Sequence, residues 1–176
     1  MKHFIFSISI LIFCTSCMSK KERELHNVIN QSINLDMFKK VYSKDTVLNF
    51  RDFRKQYKYI SVVYLLNGCQ TCYKEFIDWQ KKMELIKTPK DYTVLFIIRG
   101  DSYENLMSNI KKTEPIENNY YVIMDPTFKY INETIDIPKW IRDSSPLIDK
   151  ENKIKMIGKP WINKNITELF YRVCEI

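Results

Sequence analysis

Glycine is scarce, with three residues in 176. That excludes collagen-like and Gly-rich linker character, and no Gly-rich loop is present to cradle a phosphate. Histidine is scarcer, with His3 and His26 alone. No Ser/His/Asp set and no paired-carboxylate constellation appears. No internal repeat or low-complexity tract is visible. No apolar run reaches the roughly 20 residues of a membrane-spanning helix. Charge of one sign is also limited, with 28 basic against 21 acidic residues for a formal +7. Lysine pairs at 20–21, 39–40, 81–82 and 111–112 are scattered, which reads as solvated faces and not a nucleic-acid stripe. Five cysteines are too few for a disulfide scaffold and cannot all pair with one another. What remains is 45% hydrophobic, 14% aromatic and 28% charged, the composition of one globular domain.

The N-terminus reads as an address. Met1-Lys2-His3 precedes the mostly apolar run 4–13, the layout of a secretory signal peptide. Cys14-Thr15-Ser16-Cys17 follows and resembles the bacterial lipobox, in which small residues precede a cysteine that is lipidated and becomes the new N-terminus. Cys17 matches that cysteine, whereas bulky Phe13 precedes Cys14. Buried acyl chains contribute about 0.8 kcal/mol per CH₂, so several chains hold a soluble domain at a membrane without a spanning helix. The expectation is a lipid-anchored protein of the bacterial cell envelope, facing the periplasm or exterior, where disulfides persist. The organisation expected is a signal peptide and lipobox over 1–17, a tether and N-terminal helix over 18–44, and a folded domain over 45–176.

Apolar positions from Leu25 to Val41 suit an amphipathic helix over much of 20–41. A short strand is predicted at 45–50, followed by a charged turn at 51–55. The β-branched run 59–66 reads as a strand buried on both faces. Asn67-Gly68 breaks it. Cys72, Phe76, Trp79, Met83 and Ile86 then alternate in steps of four and three, a helix stripe that stops at Thr88-Pro89 and makes Phe76 and Trp79 core candidates. A second buried strand at 92–98, a helix near 103–111 and a strand at 120–124 complete an alternating βαβαβ pattern. The last third switches to an antiparallel hairpin, 147–149 with 154–158, and a final helix carrying Ile166, Leu169, Phe170 and Val173.

Cys69-Gln70-Thr71-Cys72 is a C-x-x-C motif where a buried strand gives way to a helix. A sulfur at a helix N-terminus faces unpaired backbone N–H groups and the positive end of the dipole, which stabilise thiolate. Lowering a thiol from about 8.5 to about 7 raises its thiolate fraction at neutral pH from roughly 3% to about 50%. Intrinsic nucleophilicity falls along the way, so the larger consequence is a better leaving group and a tuned redox poise.

These residues resemble the thioredoxin fold and, with the lipobox, the TlpA/ResA-type thiol–disulfide oxidoreductases. The likeness is carried by 45–53, by 59–86 around the cysteines and by 144–158, and it spans roughly 45–176. It implies an α/β, three-layer sandwich with a mixed central sheet, preceded here by an N-terminal helical extension. It also implies Cys69 as nucleophile and Cys72 as resolving thiol. Gly68, Ser145 and a cis Pro146 would line the substrate site, and no cofactor would be needed. Partners would be extracytoplasmic proteins with thiols or disulfides and a membrane redox partner. The chain departs from the family in having Gly68 in place of a Trp, Gln70-Thr71 between the cysteines, and no carboxylate in the strand 59–66. A redox-inactive fold member that binds a peptide or protein between Gly68 and Pro146 is the alternative. A metal site would need Cys174 from the last helix or a histidine, and no metal is expected. A peroxidase would need Pro-x-x-x-Thr ahead of Cys69, and 63–68 holds neither residue. Cys174 is expected to be a buried or idle thiol.

Overall fold

The computed structural model describes residues 18–44, 46–116 and 119–175. Cys14, Cys17 and the predicted signal segment lie outside them. A seven-stranded mixed sheet is built from β1 (Lys40–Ser43), β2 (Thr46–Asn49), β3 (Tyr59–Leu66), β4 (Tyr92–Arg99), β5 (Tyr121–Met124), β6 (Pro146–Ile148) and β7 (Ile154–Ile157). Their spatial order is β2-β1-β5-β4-β3-β6-β7. β3, β4 and β5 run parallel; β6 and β7 on one flank, and β1 and β2 on the other, are added antiparallel.

The central strands form where the sequence is apolar on both faces. Along β3, Ile60 and Val62 point into one core and Val63 and Leu65 into another, all buried. The first core is closed by α1 (Lys20–Val28), α2 (Phe50–Gln56), α5 (Lys129–Glu133) and α6 (Lys139–Arg142), through Val28, Phe50, Phe53, Tyr130 and Ile141. The opposite face is covered by α3 (Gln70–Met83), α4 (Tyr103–Thr113) and α7 (Lys164–Val173). Helices therefore lie on both faces of the sheet, the layering a parallel core with right-handed crossovers produces.

Two expectations are corrected. The helix predicted over much of 20–41 ends at Val28: Ile29 leaves it at ψ 131, Asn30 turns the chain with φ +70, and an extended run follows. Ile33 and Leu35, two apart and both buried, show the period of an extended segment. The N–H groups of Asn30 and Ile33 donate to the carbonyls of Ile154 and Asn152, so this stretch pairs with the turn that leads into β7. The charged turn expected at 51–55 is α2, whose buried stripe is Phe50 and Phe53. Among the described residues no helix is long and apolar enough to cross a membrane.

Candidate redox site

β3 ends at Leu66, and the parallel strands β4 and β5 end on the same edge of the sheet. Here Asn67 and Gly68 redirect the chain. Gly68 takes φ +85, a region open to glycine at no steric cost, and Cys69 follows as the N-cap of α3. The Cys69 Sγ accepts the Cys72 N–H at 3.2 Å and lies 3.1 Å from Thr71 Oγ1, while the Cys69 carbonyl accepts from Cys72 and Tyr73. Cys69 and Cys72 are joined as a disulfide, with Cα atoms 5.2 Å apart. Both are half-buried, whereas Gly68, Gln70 and Thr71 are exposed. The sulfur pair thus sits at the start of a 14-residue helix with no acidic residue in its first turn. No carboxylate of the first turn therefore offsets the positive end of the helix dipole beside the sulfurs.

β6 pairs with β3 antiparallel, Ile148 opposite Ile60 and Leu147 opposite Ser61. Continuing that register brings Pro146 level with Val62 and Ser145 with Val63, at the middle of β3, and both are buried. The expected cis bond before Pro146 is a correction: among the described residues no peptide bond is cis. The chain bends one residue earlier, where Ser145 takes φ +58.

Phe76 and Trp79 lie in the core as the helix stripe required. The strand beneath the pair carries no carboxylate; Glu75, one turn beyond Cys72 on α3, is held by Lys159 at 2.5 Å. Cys174 is buried with Phe170 and Met156, in a different packing cluster from Cys72. Burial pushes its thiol up to about 12, aided by nearby Asp91, so it stays a neutral thiol.

Residues the sequence did not single out surround the cysteine loop. Tyr73 is buried, and its hydroxyl meets Gly68, Asn67 and Asn109. A lone aromatic just after the motif reads as core, and its polar end gave no separate signal. Leu66 and Phe128, both more than a third exposed, stand on the same edge, with the Arg99 guanidinium 4.0 Å over the Phe128 ring.

No family model matches the sequence, and no curated protein matches it. Solved structures do. The chain is similar to the thiol:disulfide interchange protein DsbE of Chlorobium tepidum, at 15% identity and TM-score 0.56 over 83% of this chain and 97% of that one. It is similar to an electron transport protein of Aquifex aeolicus, at 17% identity and TM-score 0.55 over 84% and 96%. It is likewise similar to the thioredoxin of Wuchereria bancrofti, at 12% identity and TM-score 0.53 over 84% and 99%. With the strand order, the helices on both faces and the cysteine pair at the head of α3, these likenesses identify the fold: the chain is a thioredoxin-like α/β sandwich.

Proposed function

We propose that the protein is a membrane-anchored, extracytoplasmic thiol–disulfide oxidoreductase working through Cys69 and Cys72. The observation that carries this reading is the placement of Cys69 as the N-cap of α3, its sulfur in hydrogen-bond range of the Cys72 N–H and bonded to Cys72. In the reduced protein the Cys69 thiolate attacks one sulfur of a substrate disulfide. A mixed disulfide forms and the first substrate thiolate leaves. Cys72, having lost its proton to solvent, attacks the Cys69 sulfur and expels the second substrate thiolate. The substrate gains two electrons and the pair returns to the disulfide. A membrane redox partner recharges it.

Exposed Gly68, with Leu66 and Phe128 on the same edge, offers a docking surface for a protein substrate, and Ser145 and Pro146 would complete it as the resemblance to the thioredoxin fold implies. Lipidation at Cys17 holds the domain at the membrane, outside the cytoplasm. The structural likeness to a thiol:disulfide interchange protein supports the same reading.

The test is a Cys72→Ala trap in the full chain together with a redox titration of the wild type. A mixed disulfide at Cys69, and a pair that interconverts at roughly −200 to −300 mV, are expected. No trapped species and no reduction in that range would leave a binding module with a static disulfide.

A further inference from the structure

The Tyr73 hydroxyl is bonded on three sides. It accepts the Gly68 N–H at 2.5 Å and an Asn109 Nδ2 hydrogen at 3.2 Å, and donates to Asn67 Oδ1 at 2.8 Å. Asn67 Oδ1 also accepts from the Gly68 N–H at 3.0 Å. The Asn67 backbone is fixed in turn, its N–H donating to the Arg99 carbonyl at 3.0 Å. Gly100 is packed so closely on Asn67 that a Cβ there would lie 2.8 Å from the Asn67 Cβ. The bond to Arg99 continues the β3–β4 ladder, and the side-chain bonds add to it what neither helix nor strand requires. Together they tie the two residues before Cys69 to α3 and α4.

We propose that Tyr73 is a positioning residue for the Cys69 sulfur, acting through Gly68 and Asn67 and braced by Asn109. In the oxidised protein the disulfide already holds Cys69 against α3. Once the pair is reduced that covalent hold is gone, and the loop, together with the Cys69 carbonyl's bonds to the first N–H groups of α3, keeps the Cys69 sulfur where the Cys72 N–H and the helix end can stabilise its charge. The network therefore favours the reduced state over the oxidised one and sets the redox poise. Tyr73 touches neither sulfur through its hydroxyl, and its ring fills the core beneath α3 whether or not the hydroxyl is present. The assignment rests on the thiol–disulfide reading above.

The experiment is made on the full chain with Tyr73→Phe and, separately, Asn109→Ala. Iodoacetamide capture at Cys69 is followed by mass spectrometry against pH in the reduced protein, and the pair is equilibrated with a glutathione couple. Losing one hydrogen bond of ordinary worth should raise the oxidation equilibrium constant about three- to tenfold in Tyr73→Phe, or about 15–30 mV toward more reducing. The alkylation midpoint should move to higher pH in the same variant, with a smaller shift in the same direction for Asn109→Ala. A purely structural role would lower the thermal midpoint and leave both readouts in place. Unchanged midpoint and potential in a folded Tyr73→Phe, or in Asn109→Ala should the first not fold, overturn the assignment. A wild-type pair that cannot be reduced at all instead defeats the exchange reading on which it rests.

Discussion

Gly68 and Cys69 divide one task between them. The glycine turns the chain with φ +85, and the cysteine then caps α3 with its own sulfur. Nothing lies within 4 Å of where a Gly68 Cβ would stand, so a side chain is opposed there by backbone conformation alone. Gly68→Ala should cost about 1–2 kcal/mol, the ordinary penalty of the left-handed region. Gly68→Asn should cost less, because a short polar side chain tolerates that conformation. Denaturant midpoints of the two variants check the order, and equal losses would place the cause in packing. The chemistry of this loop was legible in sequence because C-x-x-C sits at a strand-to-helix change. Its support was not: Asn109 lies 36 residues beyond Tyr73, and only the fold brings them together. The cis bond at Pro146 was implied by the resemblance alone and by no pattern in the sequence; the backbone departs from the ordinary region one residue earlier, at Ser145.

Among elements, those with the strongest period were read best. The strand predicted at 59–66 is β3 residue for residue, and the one at 92–98 is β4 short of Arg99, since unbroken β-branched runs bounded by turns leave little choice. α2 was hidden by the charges at Arg51, Asp52, Arg54 and Lys55, although Phe50, Phe53 and Tyr57 already stood at helical spacing. β1 was hidden because its residues continue an apolar series that begins in α1, and a two-residue period over 33–35 was absorbed into a longer helical one. Its hairpin with β2 extends the sheet from β5 outward. The segment joining α1 to β1 is a structural member of the fold, and this yields a prediction. Leu35 is fully buried in the same core as Phe53 and Ile60. Leu35→Ala should cost roughly 2–5 kcal/mol, the range for truncating a buried leucine. An exposed neighbour such as Asp36→Ala should stay within about 0.5 kcal/mol. Chemical unfolding of both variants decides it: equally small losses would mean that residues 30–39 are a dispensable lead-in to the sheet.

For the whole molecule, the position of the first helix bears on how the domain would stand at a membrane. Ser19 caps α1 in a capping box with Glu22, so one residue, Met18, separates Cys17 from the cap. α1 is itself fastened to the body: Trp140 Nε1 donates to Glu24 at 2.6 Å, and the Lys21 ammonium lies 5.8 Å from the Trp140 ring centre. With lipid on Cys17, as proposed, the domain would stand close to the bilayer, and a long flexible lead would be missing. Lys20, Lys21 and Arg23 would then lie near the headgroups, each contributing about 1 kcal/mol of attraction to an anionic surface. Lipid and basic residues would act as the two signals that stable anchoring requires. Cys17→Ser should therefore move the protein out of the membrane fraction or leave it unprocessed, and remove the acyl mass seen on the wild type. Replacing Lys20, Lys21 and Arg23 by glutamine should leave that mass in place while weakening retention on anionic vesicles, most visibly at low salt. Intact mass spectrometry and vesicle sedimentation separate the two contributions. A wild-type chain of unmodified mass that remains soluble would refute the anchor while leaving the cysteine chemistry of α3 untouched, since β3, α3 and α4 position the sulfur pair.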